Sequence, residues 1–132
     1  MITTYFLNCV LGNVMGSQTT PSVPAAYYVG LSSTAPTVDG ENVTEPTGGS
    51  YRRVQVTRWT APADGVVTNG ERVVFPESTA DWGTLTHTVL FDSATGGNLV
   101  AYDALSKPKT IQSEVQASFA ANTLKMQLNA TS

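Results

Sequence analysis

Hydrophobic and polar positions along the chain change their period once. In TYFLNCVLGNVM, Phe6, Leu7, Val10, Leu11 and Val14 recur at helical spacing, which predicts a helix over about residues 4–15. Thr3 or Thr4 is placed to cap it, and Gly16 offers a left-handed stop. No second helical pattern follows. The apolar stripe of this helix must therefore lie on a sheet or on another chain.

From Gln18 onward the pattern becomes short runs rich in Val, Tyr, Thr and Phe, separated by clusters of Gly, Pro, Asn and Asp. These are strand signals. They predict about eight strands, at residues 26–32, 51–58, 72–75, 85–92, 98–105, 109–111, 115–119 and 124–129. Short strands at close spacing with no helices between them point to a mainly β fold, a single antiparallel β-sandwich or small Greek-key barrel spanning residues 1–132. Residues 32–50 form a long stretch without a strand, a length that is uncommon in a compact domain unless the loop is functional. It is read as a contact loop, and its shortening over residues 38–47 is expected to leave the domain folded.

Charge sharpens this picture more than its sum suggests. Only 13% of residues are charged and the net charge is −3, so solubility rests on hydroxyls and amides. No Lys or Arg precedes Arg52, whereas Asp39, Glu41 and Glu45 fall in that first segment. Arg52, Arg53 and Arg58 follow as the one basic cluster, split by strand alternation between two faces. These six residues are the candidate protein interface, the acidic segment being expected to pair with the arginines of a neighbouring copy. No basic stripe or aromatic series suits nucleic acid.

The single cysteine, Cys9, allows no intrachain bridge and is expected to be reduced. The apolar stretch at the N-terminus is too short and too broken by Asn8, Gly12 and Asn13 to span a bilayer, and no membrane association is expected.

Chemistry has one place to look, DWGTLTHTVLFDSATGGNLVAYDAL, where the only histidine, His87, stands near Asp81, Asp92 and Asp103. Alternation places Leu85, His87, Val89 and Phe91 on one face and Asp92 on the other. A general base needs an orienting carboxylate and a nucleophile within reach, and neither is aimed at His87. The stretch reads as a hairpin turning at SATGG, with His87 half-buried and bonded to a backbone carbonyl, and Asp81 capping amides at a turn. One histidine is too few for a zinc site, and Asp39, Glu41 and Glu45 lack the ligand period of a calcium loop. No metal, cofactor or catalytic residue is expected.

Four separated segments, YYVGLSSTAPT (27–37), VTEPTGGSYRRVQV (43–56), FPESTADWGTLTH (75–87) and FDSATGGNLVAY (91–102), resemble a family of small tailed-phage virion proteins usually labelled tail fibre proteins. The resemblance implies a virion structural protein with no enzymatic activity, packing against other virion subunits and copies of itself. Its place would be a tail- or fibre-associated component or a decoration or cement protein on the head. The alternative is a receptor- or glycan-binding module of the tail, with Trp59, Trp82 or Tyr102 as a stacking platform.

Overall fold

A computed structural model describes residues 1–16 and 23–127. Helix α1 (Thr4–Met15) is capped by Thr3, whose Oγ1 accepts from the Phe6 amide, and ends at Gly16 with φ 73°. Thr3 is fully buried because the same hydroxyl donates to the Leu99 carbonyl at 2.6 Å, so the cap that starts the helix also ties it to the sheet.

Eight strands follow among the described residues: β1 (Tyr27–Ser32), β2 (Val54–Val56), β3 (Val66–Thr68), β4 (Val73–Val74), β5 (Gly83–Phe91), β6 (Leu99–Ile111), β7 (Ser118–Phe119) and β8 (Lys125–Gln127). An antiparallel sheet runs in the order β2-β1-β5-β6, and the remaining strands pair as two ribbons, β3-β8 and β4-β7. The sheets do not close, which removes the barrel from the two expected architectures. The ribbons pack on one face of the sheet, where Val29, Leu31, Val56, Leu85, Leu90 and Ile111 meet Val73, Phe75, Trp82 and Phe119. Phe6 of α1 joins the same cluster.

The strand edges differ from expectation for identifiable reasons. The predicted segments 98–105 and 109–111 are one strand, β6. Between the pairs His87↔Ala104 and Leu85↔Lys109 only Thr86 intervenes on β5, while residues 105–108 intervene on β6. Pro108 sits within this bulge on an edge strand, where no ladder donor is required of it. β3 was not anticipated: Asp64 and Gly65 both take positive φ (53° and 76°) and close a tight turn across the Ala63↔Val66 bridge. An Asp-Gly pair before Val-Val is a recognised hairpin signal. Asn129, the predicted end of the last strand, lies outside the described residues.

The bulge also redistributes the side chains of β5. Leu85 and Leu90 join the main cluster, whereas Val89 and Phe91 form a second one with Leu99 on the opposite face. The three extra residues on β6 break the register, so Leu85 does not share a face with Val89 and Phe91 as expected.

That second face is covered by the long loop. Ser32 Oγ accepts from the Thr44 amide at 3.0 Å, the Ser33 amide reaches the Thr44 carbonyl, and Val43 packs on the second cluster. Val38 accepts from the Thr4 amide. Residues 32–50 therefore contribute to the packing, so replacing residues 38–47 is expected to lower the stability of the domain as well as to remove a contact loop.

Candidate functional site

The loop is clamped at one point. Arg53 meets Glu45 in a salt bridge at 2.6 Å, and its side chain is 8% exposed against 18% for Glu45. The guanidinium Nε also donates to both carboxylate oxygens at 3.1 Å, and its second terminal nitrogen to the carbonyls of Ser93 and Gly96 at 2.8 Å. Its central carbon stands 3.5 Å from the centroid of the Phe91 ring. One arginine thus joins the loop, the sheet and the hairpin tip, using the planar fork and the ring-stacking capacity that lysine lacks.

Tyr51 completes the cluster. Its hydroxyl donates to Glu45 Oε2 at 2.5 Å and accepts from the Leu31 amide at 2.9 Å. Burial, and then the hydrogen bond to Glu45, push the phenol far above its ordinary range, the Leu31 amide opposing this only in part, so it remains a donor. Space for it comes from Gly30. A Cβ there would stand 2.7 Å from the Tyr51 hydroxyl and 3.0 Å from Glu45 Oε2.

The cluster corrects one expectation. Glu45 and Arg53 were expected to look for partners in a neighbouring copy because neither has one within its own strand; the loop brings them together inside the chain. Asp39, Glu41, Arg52 and Arg58 are exposed and make no ion pair among the described residues. The missed signal was positional. Gly48, Gly49 and Ser50 all take positive φ (74°, 61° and 64°), reversing the chain between the acid and the arginine.

The histidine stretch is a hairpin. His87 Nδ1 lies 2.8 Å from the Thr86 hydroxyl, its one hydrogen bond among the described residues, rather than on a backbone carbonyl. Asp81 accepts from the Ser113 amide at 2.9 Å, at a turn. Asp92 accepts from the Asn98 amide at 2.8 Å and from the Tyr5 hydroxyl at 3.0 Å, pinning both ends of SATGG and the helix. Burial raises the Asp92 carboxyl, but the Asn98 and Tyr5 bonds together outweigh it and leave the group below its ordinary value. A depressed folded-state value contributes stability that is complete above the unfolded carboxylate range and is lost as pH falls through the folded value. Unfolding free energy followed by denaturant titration should accordingly fall below about pH 4, and Asp92→Asn should make that acid slope shallower. An unchanged slope would remove Asp92 from the account.

Among the described residues no group of three or more His, Cys, Asp and Glu is arranged to hold a metal ion. Likewise, no helix is long and apolar enough to cross a membrane. Trp82, one of the proposed stacking residues, is buried with its indole N–H on the Gly49 carbonyl at 2.9 Å. Trp59 and Tyr102 are half-buried.

The outer side of α1 is different in kind. Leu7, Leu11, Val14 and Met15 form a stripe at helical spacing and are 38%, 60%, 75% and 79% exposed. The helix carries no charged residue.

A scan of family models matches residues 1–127 to the family described as podophage GP4 fiber I protein gp80. The chain belongs to this family. No curated protein matches it. As a podophage fibre-family protein it is a component of the virion, the class that the resemblance implied. In a virion protein, the uncharged stripe on α1 and the exposed acids and bases of the loop and β2 are surface, while Glu45 and Arg53 hold the fold together.

Proposed function

We propose that the chain is a non-catalytic fibre subunit that packs against neighbouring virion subunits, copies of itself included, through the outer face of α1. The observation that carries this reading is the stripe of Leu7, Leu11, Val14 and Met15. A contiguous apolar surface on an uncharged helix is costly to leave in water and is the kind of patch that marks a protein contact. Phe6 and Cys9 face the body of the protein, so the exposed stripe is not needed to hold the helix in place. Exposed Asp39, Glu41, Arg52 and Arg58 would then act at the rim of such contacts, where charges set orientation more than affinity.

Placing charge on the stripe separates folding from assembly. Leu11→Glu combined with Val14→Glu should leave the thermal midpoint of the isolated protein close to the parent, since both side chains are exposed. Incorporation into particles, measured by complementing a phage that lacks the protein, should drop at least about tenfold, the loss that 1.4 kcal/mol of contact energy produces. Normal incorporation of a folded double variant would refute the contact role of α1.

A further inference from the structure

Asn69 and Gly70 form the chain's only Asn-Gly pair. Asn69 is fully buried, just past β3 and against the segment that joins β7 to β8. Every polar atom of its side chain is engaged there. Nδ2 donates to the carbonyls of Glu71 at 2.8 Å and Ala120 at 3.0 Å, and Oδ1 accepts from the amides of Thr123 at 3.0 Å and Leu124 at 2.9 Å. The backbone nitrogen of Gly70 is held as well, donating to the Arg58 carbonyl at 2.8 Å.

We infer that Asn69 is a site of spontaneous deamidation confined to the unfolded chain, and that the change bars return to this fold. Glycine after asparagine leaves the next amide nitrogen unhindered by a side chain. In an unfolded chain that nitrogen forms a bond to Asn69 Cγ, ammonia departs with the amide proton, and a five-membered succinimide results. Water then adds to one of the ring's two carbonyls and opens it to aspartate or to the β-linked isoaspartate. In the folded protein the carboxamide and the Gly70 nitrogen are both fixed by their hydrogen bonds, and burial keeps water from the site. Neither product fits what the fold provides. A carboxylate at position 69 sets oxygen against the Glu71 and Ala120 carbonyls, which need a donor, and a buried charge or acceptor without a partner is costly. Isoaspartate also lengthens the main chain by a methylene where Asn69 bridges to Trp59. The exchange between folded and unfolded chain thereby acquires a one-way exit, taken by chains that stay unfolded before assembly.

The mass of the tryptic peptide spanning residues 59–72, followed over time at mildly alkaline pH, reads the reaction directly. Peptide from protein held in urea should gain the mass difference between Asn and Asp. Native protein should do so at least about a thousandfold more slowly, because only its unfolded fraction reacts. In urea, Gly70→Ala should slow the reaction several-fold; a Cβ there meets Arg58 at 3.4 Å, an ordinary contact, so this variant folds. After removal of urea, deamidated chains should not regain the parent's thermal midpoint. Asn69→Asp prepared directly should melt at least about 5 °C below the parent or stay unfolded. Equal rates in native and urea samples, or no reaction at Asn69 in urea, would overturn the inference. Deamidated protein that refolds with the parent's midpoint would overturn it equally.

Discussion

Arg53→Ala is expected to cost about 3–5 kcal/mol of unfolding free energy, the range for removing one partner of a buried ion pair. The reason lies in what remains. Glu45 would keep the Tyr51 hydroxyl but lose the one cation it pairs with among the described residues, in a place where water has little access. The carbonyls of Ser93 and Gly96 would lose their shared donor, and the Phe91 ring its stacked guanidinium. Removing Glu45 as well should recover part of the loss, because the double variant leaves no unpaired charge behind. Equilibrium denaturation of the two single variants and the double variant measures both quantities. A loss below about 1 kcal/mol for Arg53→Ala would mean that the pair behaves like an ordinary surface bridge.

Phe75→Ala should be comparably severe, about 3–5 kcal/mol, by a different mechanism. The ring is 1% exposed and stands 6.1–6.4 Å, centroid to centroid, from Tyr51, Trp82 and Phe119, so it joins the β4-β7 ribbon to the aromatic core beneath. Truncation would leave a cavity that rigid rings on several sides fill poorly. Phe75→Leu should cost less, since it returns most of the apolar volume. Near-UV circular dichroism would report loosening of the same ring cluster before global unfolding. A Phe75→Ala protein as stable as the parent would show that the ribbon does not depend on this contact.

How far the sequence led is clear from particular residues. The helix was legible because its signals are local: a threonine cap, a helical apolar period and a glycine at positive φ. The hairpin at SATGG was legible for the same reason, since Gly96 and Gly97 take φ 59° and 74°. The faces of β5 were not, because the inversion at Thr86 arises from the partner strand, where residues 105–108 are looped out; nothing in LTHTVLFD announces it. The interface residues fared unevenly. Alternation separated Arg53 from Arg52 and Arg58, and the structure does bury the first and expose the others. Its partner stayed hidden because Glu45 lies in irregular chain, where no period relates one side chain to the next. The stripe on α1 was seen as an apolar face in search of a cover, but which half the body would take depends on how Thr3 fastens the helix to β6.

The bulge that admits Pro108 bears on how such a protein tolerates crowding. Subunits held at high local concentration risk open-ended polymerisation by adding sheet to sheet, and a thirteen-residue strand at an edge would invite it. Here Lys107, Pro108 and Lys109 stand exposed together on β6, interrupting the backbone template with a missing donor between two positive charges. At the opposite edge β2 is only three residues long and lies between exposed Arg52 and Arg58. Both borders of the sheet are thereby closed to a further strand. Any contact between copies would then fall to side-chain surfaces rather than to backbone pairing.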